Sequence, residues 1–163
     1  MTIPTDNSHI SLLSNRSDAE VCANAMAESE PWLTLGRNRM QSQSLINHPS
    51  SRVYLLHQAD TLCGFLVVKT EGPFSSYIQT LFIFEKHRGS GLGTLFLKRA
   101  EEFLFKEHPN VFICCSSFNI RALSLYQKVG YEVIGELKEY IVKGYSEILL
   151  RKTIGPISEF NSK

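Results

Sequence analysis

The chain has 163 residues, 43% hydrophobic and 20% charged, enough to bury the core of one domain without requiring a second. A formal net charge of +1 supplies no basic surplus of the kind that nucleic acid or an anionic membrane attracts, so neither is expected as a partner. No run is apolar enough for its length to span a bilayer, and the polar start Met1 to His9 lacks a signal-peptide pattern, so a cytoplasmic protein is expected.

In chain order, Ile10 to Leu13 reads as a strand, and Ser17-Asp18 can cap a helix across Ala19 to Glu28. Pro31 and Gly36 punctuate a stretch containing Trp32 and Leu33, before a second helix over Arg37 to Ile46. Arg52 to His57 and Leu62 to Lys69 are rich in β-formers around Gln58-Ala59-Asp60-Thr61, which predicts a hairpin. Tyr77 to Phe84 adds a third strand. In the helix predicted over Thr94 to Lys106, Leu95, Phe96, Phe103 and Leu104 recur at helical spacing, with Lys98, Glu101 and Glu102 assigned to other faces. Val111 to Cys115 follows as a buried strand, then a helix from Asn119 to near Gly130, and a final strand pair, Tyr131 to Leu137 and Tyr145 to Arg151. This order, βααβββαβαββ, makes residues 1–153 a single domain with a tail over 154–163. Cys22, Cys63, Cys114 and Cys115 show no Cys-x-x-Cys spacing and read as reduced thiols, and no metal is expected.

The most informative segment is Arg88-Gly89-Ser90-Gly91-Leu92-Gly93, set between a predicted strand and a predicted helix. A strand turning through glycines into a helix leaves unpaired N–H groups directed at one spot, where the helix dipole favours negative charge. Arg88 adds a forked, permanently charged donor suited to phosphate oxygens. A triphosphate P-loop needs Lys-Ser or Lys-Thr after its last glycine, and Thr94 follows Gly93 directly. The dinucleotide fingerprint needs Gly-x-Gly-x-x-Gly and an acidic residue ending the next strand; here the glycines are spaced Gly-x-Gly-x-Gly and that strand ends Cys114-Cys115-Ser116.

One helix and one strand later comes Asn119-Ile120-Arg121-Ala122-Leu123-Ser124-Leu125-Tyr126-Gln127-Lys128-Val129-Gly130-Tyr131. Together the two segments resemble the acetyl-CoA-binding core of the GNAT superfamily of N-acetyltransferases, with its Arg/Gln-x-x-Gly-x-Gly/Ala turn and later Asn-x-x-Ala-x-x-Leu-Tyr-x-x-x-Gly-Phe/Tyr helix. The resemblance implies an α+β, three-layer fold: a central mixed, mostly antiparallel sheet of about seven strands flanked by four helices. It also implies acetyl-CoA as donor, its pyrophosphate on Arg88, Gly89, Ser90, Gly91, Leu92, Gly93 and Thr94, and its pantetheine arm against Leu81, Phe82, Ile83, Asn119 and Tyr126. Tyr126 takes the family's position for the acid that protonates the departing thiolate; a phenol with a pKa of about 10 keeps its proton beside a thiol of about 8.5.

Many GNAT enzymes place a glutamate base on the strand before the glycine loop, but Tyr77 to Ile83 contains no carboxylate. Glu71 and Glu139 read as solvated loop residues that could act through water, and the base stays unassigned. At pH 7 a lysine amine is neutral in about one molecule in a few thousand and an α-amine in roughly one in ten, so a site without a strong base favours a peptide N-terminus or another low-pKa amine over lysine. Trp32, Leu33, Tyr140 and Tyr145 are available as acceptor contacts, and the tyrosine-bearing hairpin is similar to that of ribosomal-protein N-terminal acetyltransferases. The expected function is direct acetyl transfer from acetyl-CoA to a primary amine in a ternary complex, by a monomer or homodimer. The alternatives are a non-catalytic acyl-CoA sensor, which has no need of Tyr126, and a nucleotide-binding regulatory domain.

Overall fold

Apolar side chains alternate along the central strands, so each strand sends one set to either side of a sheet. The computed structural model describes residues 7–161 and shows that sheet with seven strands: β1 (Ser8–Leu12), β2 (Ser51–Gln58), β3 (Thr61–Lys69), β4 (Tyr77–Ile83), β5 (Asn110–Ser116), β6 (Glu132–Lys138) and β7 (Ser146–Thr153). Their spatial order is β1-β2-β3-β4-β5-β7-β6, and only β4 and β5 run parallel. One face packs on α3 (Leu92–Glu107) and α4 (Ile120–Val129), burying Leu56, Leu66, Phe96, Leu104 and Tyr126 together. The other packs on α1 (Arg16–Ala27) and α2 (Arg39–Ile46), burying Met26, Leu45, Leu55, Phe65 and Phe82. The result is the mixed, helix-flanked GNAT-like sheet that the motifs imply.

Several boundaries differ from the sequence reading for identifiable reasons. α1 begins at Arg16 because Asn15, rather than Ser17-Asp18, is the cap: its side chain accepts from the Asp18 N–H at 2.8 Å. α2 begins two residues later than predicted, where Asn38 and Gln41 satisfy each other's backbone N–H groups in a capping box. Glu101 lies on the packed face of α3, not an outer one, because Lys152 of β7 reaches its carboxylate at 2.6 Å. The tail continues as a short 3₁₀ turn over Ile157–Glu159, and Cys22, Cys63, Cys114 and Cys115 are free thiols.

Two irregularities in β4 position the site. Thr80 pairs with Val67 and Ile78 with Val68, so Gln79 is an extra residue in the ladder. The bulge inverts the alternation: Ile78 packs toward α3 and α4, whereas Phe82, four residues on, packs toward α1 and α2. Immediately before it, pairing with β5 ends. Only Tyr77 and Ile78 pair, with Phe112 and Ile113, so β4 and β5 diverge from Gln79 onward.

Candidate active site

That divergence opens a cavity of about 850 Å³ reaching both faces of the sheet. One end is the glycine turn. Gly89 and Gly91 have φ of 80° and 84°, left-handed values that suit glycine, and a methyl group added at either would meet open space. Gly93 serves differently: a Cβ there would sit 3.3 Å from Leu125 Cδ1, so its absence lets α3 approach α4. Gly91 caps α3 with no side-chain acceptor, which leaves the first N–H groups of the helix available to an anion. Arg88 is tied to the end of β4, its Nε donating to Ile83 O at 2.8 Å and its guanidinium lying 5.4 Å from the Phe82 ring centroid. Two buried polar atoms of the lining, Thr80 Oγ1 and His87 Nε2, lack a hydrogen-bond partner among the described residues.

The middle of the cavity holds Tyr126. Asn119 caps α4 by accepting from the Ala122 N–H at 3.3 Å, and α4 ends where Gly130 turns left-handed, so Tyr126 is held on the inward face. Burial, with the neighbouring Cys115 and Cys114 thiols, raises the pKa of its phenol, which therefore keeps its proton at any working pH.

The third part opens toward α1 and α2. Cys115 packs with the α3–α4 core, so its neighbours Cys114 and Ser116 point to the opposite face. Glu147 on β7 stands directly opposite Ser116 in the antiparallel ladder, and Ser116 Oγ donates to Glu147 Oε1 at 2.6 Å. Burial raises the pKa of this carboxyl, while the hydrogen bonds from Ser116 and Cys114 and the Arg37 charge pull it back. Burial and Glu147 together push the Cys114 thiol pKa up to about 12, and burial, Cys114 and Glu147 raise the pKa of the Tyr77 phenol. Glu30, Trp32 and Arg37, from the connection between α1 and α2, complete this end.

The cavity brings together Leu81, Phe82, Ile83, every residue from Arg88 to Thr94, Asn119, Tyr126 and Trp32. It does not include Leu33, Tyr140 or Tyr145, which are exposed; the Tyr145 ring packs edge-on against Phe118 instead. Glu71 and Glu139 are exposed and outside the lining, and Glu139 Oε1 accepts from the Gly144 N–H. Glu147, which the sequence reading passed over, is the buried carboxylate at the site. Its signal was a charged residue directly before the apolar run Ile148-Leu149-Leu150. A second depression, of about 520 Å³ beside Asn15, Arg16, Glu20 and Gln43, shares no residue with either motif.

The acetyltransferase (GNAT) family model matches residues 18–131, more than half of the chain. The chain belongs to this family. It is thereby an acyltransferase of the acetyl-CoA-dependent, N-acetylating kind. It is 26% identical over 163 residues to the N-alpha-acetyltransferase RimI of Mycobacterium tuberculosis, an alignment covering 95% of this chain and 98% of that protein. Among solved structures, the spermidine N-acetyltransferase of Vibrio cholerae, in complex with CoA and spermine, superposes with a TM-score of 0.72 at 16% identity, over 90% of this chain and 95% of that one. A GNAT acetyltransferase from Desulfovibrio desulfuricans reaches a TM-score of 0.74 at 15% identity, over 91% and 99%. At these identities the two structures bear on the fold alone. No helix among the described residues is long and apolar enough to cross a membrane.

Proposed function

We propose that the protein transfers the acetyl group of acetyl-CoA directly to the α-amine of a peptide, with both substrates bound together. The observation that carries this reading is the single cavity running from the uncapped start of α3, past Tyr126, to the α1–α2 connection. An N-terminus flanked by left-handed glycines supplies N–H donors for the pyrophosphate, with the Arg88 charge beside them. The β5-facing edge of β4 beyond Ile78 has no strand partner, so its backbone is free to bind the pantetheine arm and polarise the thioester. The orphaned Thr80 hydroxyl and His87 imidazole are further donors or acceptors for a polar ligand.

In this reading the acceptor enters from the α1–α2 face beside Trp32 and the donor lies along the α3–α4 face. The amine nitrogen attacks the thioester carbonyl, the C–S bond breaks, and Tyr126 protonates the sulfur. The cavity's reach to both faces supports a ternary complex, since neither substrate must leave before the other enters.

The choice of an α-amine draws support from the N-alpha-acetyltransferase relative, which matches along nearly its whole length. The low pKa of an α-amine points the same way. The absence of a carboxylate from β4 no longer contributes, because β7 supplies one. The test is thiol release from acetyl-CoA with two peptides of one sequence, one with a free α-amine and no lysine, the other N-terminally blocked with one lysine. The α-amine peptide is expected to turn over faster near pH 7; equal or faster turnover of the blocked peptide would overturn the α-amine assignment.

A further inference from the structure

We infer that Glu147 is the proton acceptor for the attacking amine, a role that rests on the acyl-transfer reading and assigns the base that β4 lacks. Three observations converge on it. It is buried at the start of β7 yet lines the cavity, so its carboxylate faces the ligand space rather than bulk water. It reaches the cavity from the α1–α2 side together with Cys114 and Ser116, whereas Tyr126 belongs to the α3–α4 side. A base on the acceptor's face and an acid on the donor's face flank the gap in which the C–N bond forms and the C–S bond breaks. Finally, Oε1 is held by Ser116 Oγ at 2.6 Å, and the Cys114 thiol lies 3.9 Å from Oε2, a weak contact that leaves that oxygen able to accept from an ammonium.

The ammonium gives one proton to Glu147, which passes it to solvent. The neutral nitrogen forms the C–N bond, and its second proton is lost as the tetrahedral adduct collapses. Cleavage of the C–S bond sends the electron pair to sulfur, which Tyr126 protonates before recovering a proton from solvent. The net products are the acetamide, the free thiol and one proton.

The groups around Glu147 are Ser116, Cys114 and Cys115 on β5, Tyr77 on β4 and Arg37 before α2. Of these Arg37 alone carries charge near neutrality, and it favours the ionised carboxylate, while burial opposes it. The raised pKa brings the base nearer to working pH, where general-base catalysis is most effective.

The experiment measures kcat/KM for an amine across pH in wild type, Glu147→Gln and Ser116→Ala, with acetyl-CoA affinity and Tm for each. Glutamine preserves the shape and can still accept from Ser116. Near pH 7, where roughly one α-amine in ten is neutral, Glu147→Gln is expected to lose about tenfold in kcat/KM for an α-amine peptide, with acetyl-CoA affinity within about twofold. Without the base only the neutral amine reacts, so the variant's rate should climb about tenfold per pH unit and approach wild type near the amine's own pKa. In Ser116→Ala, removal of a bond that lowers the carboxyl pKa should move the acid limb to higher pH. An unchanged rate in Glu147→Gln, a loss equal at every pH, or an unmoved limb in Ser116→Ala would overturn the assignment. If wild type itself acetylates no amine, the acyl-transfer reading falls first, and the inference with it.

Discussion

Tyr126 takes its protonation state from what surrounds it. Burial and two neighbouring thiols raise the pKa of its phenol, so the hydroxyl keeps its proton and can donate a hydrogen bond to the departing sulfur. Tyr126→Phe removes one oxygen and preserves the packed ring, so kcat for thiol release should fall by about 100-fold while acetyl-CoA affinity and Tm stay near wild type. An undiminished kcat would remove the acid role. Sequence spacing located this tyrosine because the motif that carries it is local, thirteen consecutive residues on one helix and its cap. It did not locate Glu147. That residue meets Ser116 across thirty-one positions of sequence, and only the strand order brings β7 beside β5.

The elements carry a second polar group that the sequence reading misplaced. Glu101 on α3 accepts from Lys152 Nζ on β7 at 2.6 Å, and that ammonium also lies 5.9 Å from the centre of the Tyr131 ring. Among the described residues no hydrogen bond satisfies the buried Tyr131 hydroxyl or Glu101 Oε1, and burial followed by the Glu101 carboxylate raises the Tyr131 pKa. The cluster fastens α3 to the strand that carries Glu147, five residues before Lys152, and to the end of the helix that carries Tyr126. Removing its cation leaves a buried carboxylate uncompensated, so Lys152→Ala should lower unfolding stability by about 3 kcal/mol in a urea titration. A loss below about 1 kcal/mol would show that the pair behaves as an exposed one. A helical spacing of three and four residues cannot reveal such a partner, because the partner's charge comes from another element.

Over the whole molecule, element types were legible from alternation and turn residues, and the donor site from two ordered motifs. Three features were not legible. The insertion of β7 between β5 and β6 is a crossover with no local signal, the bulge at Gln79 reverses a face that period-two reasoning assigns continuously, and the exposure of Tyr140 and Tyr145 depends on where the β6–β7 connection lies. From that connection Ile141 lines the cavity, beside Glu30, Trp32, Arg37 and Glu147, while Tyr140 and Tyr145 lie outside the lining.

The raised Glu147 pKa also sets a sign for stability. A carboxyl whose folded pKa lies above its unfolded value stabilises the fold most while protonated, and that contribution fades as pH rises through the folded pKa. The charge that would serve catalysis is therefore carried at some expense to the fold, so Glu147→Gln should unfold at or above the wild-type temperature near neutral pH.

In the proposed reaction donor and acceptor meet in one cavity and the acetyl group passes between them directly. Initial rates of thiol release measured over a grid of acetyl-CoA and α-amine peptide concentrations test it. Direct transfer predicts double-reciprocal lines that intersect, with no acetyl group retained by the protein when acetyl-CoA is mixed with it alone. Parallel lines, accompanied by a stoichiometric acetyl group on the protein, would contradict it.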